Sequence, residues 1–221
     1  MKEALVEKTL NVIEAISKME FVKSYFLVGG TALALQLKHR LSEDLDFMSW
    51  KQSKKDKQNI NIEGIRNELA QVFIINKIDI LGNNHIEISI DDGVKLSFYA
   101  PDKIKPAITP VHYLNNLILA NEECIAALKM ETLLRRNEFR DYYDLYCILK
   151  NKDAETTKRI INNALKYSEY HLKTKNLVGM LTNSERFKYN AAFAHLDPQY
   201  PITAKEIELF MAERMKIILD K

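Results

Sequence analysis

The chain has 221 residues, room for one domain or one core plus a smaller attachment. Its 47% hydrophobic content can supply a core, while 28% charged residues and no long apolar run exclude a membrane protein; with six glycines and five prolines, disorder is excluded too. Lys and Arg total 32 against 30 for Asp and Glu, a net charge of +2 that excludes nucleic-acid binding by bulk charge but leaves room for a local basic site. Residues 3–20 place Leu5, Val6, Leu10, Val12, Ile13, Ile16 and Met19 on one helical face. Tyr25–Val28 reads as a buried strand ending at Gly29-Gly30, and Thr31–Leu37 as a short helix. Leu45 and Phe47 alternate with Asp44 and Asp46, a strand with one polar face. Lys51–Asn59 is lysine-rich and reads as a mobile loop, followed by a helix over Ile62–Val72. Lys77–Leu81, His85–Ile90 and Val94–Tyr99, separated by Gly82-Asn83-Asn84 and Asp91-Asp92-Gly93, predict an antiparallel meander. Pro101, Pro106 and Pro110 then break the chain before it turns helical.

The rest reads as helices: Asn121 capping one that runs to about Arg136, a second over Glu138–Leu149, a third over Ala154–Tyr167, and a last one signalled by the capping box Thr203–Glu206 and reaching Leu219. The expected architecture is α/β (α+β): a mixed-sheet core over 1–115 and a helical part over 116–221 that completes the site. Cys124 and Cys147 lie in apparent helices without metal-ligand spacing, and the five histidines form no zinc pattern. The N-terminal MKEALVEKTL resembles no signal or transit peptide, so a reducing cytoplasm is the expected compartment.

Gly29-Gly30-Thr31 followed by Asp44-Leu45-Asp46 carries the chemistry. Glycines at a strand-to-helix turn let the backbone approach a ligand, and the helix N-terminus suits phosphate. Carboxylates at i and i+2 of a strand point the same way, and such oxygen ligands suit Mg²⁺. Taken alone, each part is an ordinary turn or a solvated strand face; in this order they gain specificity. There is no GxxxxGK[ST] and no GxGxxG, so neither a P-loop nor a dinucleotide fingerprint is present. Lys129, on a largely apolar helix, needs an anionic partner: a bound triphosphate if the helix faces the aspartates, or solvent if it snorkels. Arg135, Arg136 and Arg140 form a basic cluster, either a solvated face or a grip on substrate, and Asp141 and Asp144, at i and i+3, have a plain alternative role in pairing with Arg140 and a neighbour. Arg40 and His39 lie between the glycines and the aspartates, where they could line the same nucleotide-binding pocket.

FLVGGTALALQLKHRLSEDLDF resembles the first motif of the AbiEii/AbiGii toxin family of nucleotidyltransferases, within the DNA polymerase beta-like superfamily. EECIAALKMETLLRRNEFRDYYDLYCIL resembles that family's later Lys and Arg-Asp motifs. The resemblance implies a polymerase beta-like nucleotidyltransferase core. It implies that Gly29, Gly30 and Thr31 hold phosphates with Ser42 nearby, and that Asp44 and Asp46 bind Mg²⁺ or Mn²⁺. Lys129 would contact the triphosphate, and Asp141 would be the acid of the last motif. The superfamily's third metal-binding carboxylate is missing: Val94–Tyr99 offers Ser97, leaving Asp79, Glu87, Asp141 or a single metal. The implied reaction moves a nucleotidyl group from an NTP to an acceptor hydroxyl, RNA and tRNA in particular, with a cognate antitoxin as partner. An unbroken helix would align Lys129 with Arg136 and Arg140 as an acceptor-binding face. The alternatives are transfer to a small molecule such as an aminoglycoside, or a non-catalytic nucleotide-binding protein.

Overall fold

The computed structural model describes residues 1, 3–106, 108–169, 171–189 and 191–219. The chain divides into two compact units, Met1–Asn121 and Glu122–Lys221. The expected division at 115/116 falls inside a β-hairpin, and the units part only after that hairpin closes.

In the first unit α1 (Glu7–Ser17) buries Val12, Ile13 and Ile16, as the apolar spacing predicts. It starts later than that spacing because the preceding residues are used elsewhere. Ser42 N donates to Ala4 O at 2.9 Å and Val6 N to Ser42 O at 3.1 Å, so the N-terminus braces the loop before β2. A 3₁₀ turn (Phe21–Ser24) leads into β1 (Phe26–Val28), α2 (Gly29–Leu37) and β2 (Leu45–Met48). The helix α3 (Ile62–Leu69) is capped by Asn61, whose side-chain oxygen accepts from Gly64 N, and ends three residues before Val72. The meander follows as expected: β3 (Ile75–Gly82), β4 (His85–Ile90) and β5 (Val94–Tyr99), antiparallel throughout.

The segment after the prolines is not helical. It forms β6 (Val111–Leu114) and β7 (Leu117–Leu119), joined at Asn115, which takes a positive φ of 47° and anchors to Ser17. These strands are too short for alternation to register in the sequence. The seven strands run in the order β3-β4-β5-β2-β1-β7-β6, with β1–β7 and β2–β5 parallel. One face of the sheet is a dry core. Phe47 and Phe98 stack at 5.2 Å, with Phe21 and Tyr25 edge-on to both. Burial there pushes the Tyr25 hydroxyl up to about 12. The other face of β2, β4 and β5 is half-exposed and carries Asp46, Met48, His85, Glu87, Ser89, Lys95, Ser97 and Tyr99.

The second unit consists of α4 (Glu122–Thr132), α5 (Phe139–Leu149), α6 (Ala154–Tyr167), α7 (Thr174–Leu181), α8 (Ala191–Ala194) and α9 (Ala204–Leu219). Asp153 caps α6, and Thr203 and Glu206 exchange the reciprocal bonds of a capping box. The helix α4 stops four residues short of Arg136. Lys129, Arg136 and Arg140 therefore do not share one helix, and the expected continuous basic face is absent. Aromatics fill the core around α5, with Tyr142 stacked on Phe187 at 3.6 Å and Phe139 edge-on to Phe193 at 4.9 Å. Among the described residues no helix is long and apolar enough to cross a membrane.

Candidate active site

The sharp turn from β1 into α2 is built on glycine for two separate reasons. Gly29 adopts φ +69°, and a Cβ there would stand 2.5 Å from Asp46 Oδ2. The register causes the second effect, since Val28 lies opposite Asp46 on the antiparallel β1–β2 pair. A Cβ on Gly30 would stand 2.4 Å from Arg40 Nη2 and 3.1 Å from Ser42 Oγ. Gly29→Ala is therefore expected to cost about 1–3 kcal/mol from backbone strain alone and to displace the Asp46 carboxylate. Gly30→Ala should cost less, because Gly30 has no positive φ and so adds no such backbone strain. Urea unfolding of the two variants checks the order; equal stability would contradict it.

Residues 40–44 are held against the first turn of α2 by buried polar groups. Thr31 is fully buried; its hydroxyl bonds the Ser42 hydroxyl at 2.9 Å and donates to the Asp44 carbonyl. These bonds fix the backbone that presents Asp44. The Arg40 side chain is 4% exposed; its Nη1 donates to Leu41 O at 2.8 Å and its Nη2 faces Gly30. A guanidinium and the positive end of the α2 dipole thus meet at one place, and an anion is the charge both favour. Val28, at the N-cap, offers no side-chain bond to the first-turn amides. Thr9 on α1, which sequence reading missed, braces the same loop by donating to Glu43 O. Its only signal was a threonine on an otherwise apolar helical face.

Asp44 and Asp46 lie on the half-exposed side of the sheet. The register left open by the sequence is now defined: Asp46 neighbours Ser97, Ser97 neighbours Glu87, and Glu87 neighbours Asp79, one row across four strands. The Lys95 ammonium stands 3.9 Å from both Asp44 and Glu87, and His85 is 3.9 Å from Glu87. Ser97 occupies the position beside Asp46, and among the described residues no three His, Cys, Asp or Glu side chains converge to hold a metal.

In the second unit Lys129 is 6% exposed and finds its anions within the chain. Its ammonium donates to Asp141 Oδ1 at 2.9 Å and stands 2.6 Å from Asp144 Oδ2, both aspartates being fully buried. Arg136 closes the cluster through Nε to Asp141 Oδ2 at 2.8 Å and Nη2 to Asp141 Oδ1 at 3.0 Å. Burial alone would raise the Asp141 carboxyl, but the two cations outweigh it and hold it below its ordinary value. Three of about four lone-pair sites on that carboxylate are thereby taken. Arg140 is half-buried on α5, and His39 is buried beside Arg40. The structure thus gathers Gly29, Gly30, Thr31, Arg40, Ser42, Asp44 and Asp46 in one unit, and Lys129, Arg136, Asp141 and Asp144 in the other.

The family model described as "Nucleotidyl transferase AbiEii toxin, Type IV TA system" matches residues 12–216. An uncharacterised protein of Aquifex aeolicus (strain VF5), aq_aa25, is 22% identical over 221 residues, covering 98% of each chain. The crystal structure of JHP933 from Helicobacter pylori is similar with a TM-score of 0.55 at 22% identity, covering 98% of this chain and 94% of that one. MenT4, the nucleotidyltransferase toxin Rv2826c of Mycobacterium tuberculosis H37Rv, is similar with a TM-score of 0.56 at 15% identity, covering 90% of this chain and 76% of that one.

Proposed function

Because the chain belongs to the AbiEii nucleotidyltransferase toxin family of type IV toxin–antitoxin systems, we propose that it transfers a nucleotidyl group from an NTP to a hydroxyl of RNA, tRNA in particular. A cognate antitoxin protein would restrain it. The observation that carries the reading is the close approach of the half-exposed Asp46 carboxylate to the glycine-built N-terminus of α2, with the half-exposed Asp44 two residues before it.

The donor set fits a divalent ion. Two aspartates on one side of a strand, with no third convergent ligand among the described residues, leave positions for substrate phosphates and water, as Mg²⁺ prefers. Asp44 and Asp46 would hold Mg²⁺ or Mn²⁺, which supplies charge to the triphosphate and acidifies the attacking hydroxyl. The first-turn amides of α2 and the Arg40 guanidinium orient the phosphates. Thr31 and Ser42 act one step back, by holding the Asp44 backbone. In the second unit the Lys129 ammonium is engaged by Asp141 and Asp144. Asp141 then serves to hold that ammonium rather than to bind metal.

The row of Asp79 and Glu87 beside the aspartate pair favours a second reading, a cationic small-molecule acceptor. Incubation with each α-labelled NTP, Mg²⁺ and total tRNA separates the two. Label in RNA, abolished by Asp46→Ala, supports the proposal. Label only in an added aminoglycoside supports the second reading, and no label anywhere with any acceptor contradicts both.

A further inference from the structure

Beyond Met48 and Tyr99 the sheet runs into an excess of lysine that the reaction above leaves unused. β2 leads into residues 51–59 and β5 into residues 101–106. The two loops are tied together: Lys51 N donates to Lys103 O at 3.1 Å, Lys105 N donates to Lys51 O at 3.0 Å, and the Lys51 ammonium pairs with Asp102. Together they carry six lysines, at 51, 54, 55, 57, 103 and 105, against Asp56 and Asp102, whereas the whole chain carries a net +2.

Asp56 offsets one of these charges but is turned onto the loop's own backbone rather than onto Lys54, Lys55 or Lys57. Its Oδ2 accepts from Gln52 N and Ser53 N and its Oδ1 from Ser53 Oγ, each at 2.7 Å, so the carboxylate shapes the turn. Lys54, Lys55 and Lys57 are exposed and form no ion pair with any described residue. Lys51, where the patch begins, is close to the aspartates along the chain. Met48 and Tyr99 are cross-strand neighbours two residues on from Asp46 and Ser97, on the same half-exposed face, and the His85 ring lies 5.5 Å from that of Tyr99. At about 3.3 Å per residue, Asp46 and Lys51 are at most about 17 Å apart.

We infer that the tied loops grip the phosphate backbone of the RNA acceptor, with Tyr99 as a stacking surface between grip and carboxylates. The inference rests on the nucleotidyl-transfer reading with RNA as acceptor. A basic surface followed by an aromatic side chain is the pattern by which single strands are held without sequence preference. Lysine is depleted at protein–protein interfaces, where arginine and aromatics dominate, so the composition favours a polyphosphate over an acidic protein.

The test is tRNA binding by the full chain across a salt series. Lys54→Gln/Lys55→Gln/Lys57→Gln should weaken binding at low salt at least about 10-fold and flatten the log–log salt slope by about 2, the loss of three single-strand phosphate contacts. A control carrying Lys166→Gln/Lys173→Gln/Lys175→Gln, the same charge change at exposed lysines of the other unit, should keep the parental slope. NTP–Mg²⁺ affinity should be unchanged in both. If the parent labels RNA and the loop variant keeps its slope, the grip is wrong and the transferase reading stands. If the parent neither labels nor binds RNA, both fail. A loop variant that keeps RNA but loses polyglutamate binding would overturn the inference in favour of an acidic protein partner.

Discussion

Replacing Asp46 by alanine should lower nucleotidyl transfer about 100-fold or more, and Asp44→Ala should do the same while changing the unfolding midpoint by no more than a degree or two. The activity loss follows from removing half of the carboxylate pair assigned to the metal, judged by what single electrostatic groups contribute to transition states. The stability expectation follows from exposure. The Asp44 side chain is 34% exposed and its Lys95 partner, 43% exposed, stands 3.9 Å away, an arrangement that contributes at most about 1 kcal/mol. Removing one of two neighbouring like charges offsets even that. Single-turnover transfer and thermal unfolding on the same samples check both halves. Activity retained in either variant would move the chemistry off this face of the sheet.

Lys129→Met should behave differently and destabilise the protein by about 3–5 kcal/mol, because it leaves two fully buried carboxylates with Arg136 as the remaining cation of the cluster. Urea unfolding measures it, and a loss below about 1 kcal/mol would show that the cluster is not held as described. The pH dependence has a definite sign. The Asp141 carboxyl is held below its ordinary value near 3.8, so its contribution is full above that value and disappears as pH falls through the lower folded one. Parental stability should therefore fall more steeply below about pH 4 than that of Asp141→Asn. Arg136, 47% exposed at its side chain, belongs to this cluster. Arg136→Ala should accordingly lose stability, which makes it a poor probe of acceptor binding.

Local signals carried far in this chain. Alternation over His85–Ile90 and Val94–Tyr99 sufficed for the meander, and also separates the core residues Ile86, Ile88, Leu96 and Phe98 from the half-exposed His85, Glu87, Lys95 and Ser97. Gly29, with its positive φ, and the Asp44/Asp46 spacing were legible because their constraints are local. What was hidden depends on long-range pairing. That Glu87 sits two strands from Asp46 follows from a parallel β2–β5 register set by packing. That Lys129 is answered by Asp141 and Asp144, and that α4 ends where the chain turns to let Arg136 reach Asp141, are tertiary electrostatics that helical periodicity does not encode. The β6–β7 hairpin escaped because three and four residues beside prolines give no period to read.

The most direct measurement of the central claim is Mn²⁺ binding followed by electron paramagnetic resonance, with and without a non-hydrolysable NTP, on the parent and on Asp44→Asn/Asp46→Asn. In the parent, Mn²⁺ should bind weakly alone and at least about 10-fold more tightly with the nucleotide, since phosphate oxygens complete the coordination that two carboxylates begin. The double variant should lose that nucleotide-dependent binding while keeping its fold. Equal nucleotide-dependent Mn²⁺ binding in parent and variant would contradict the account, because the metal–triphosphate would then rest on residues other than Asp44 and Asp46.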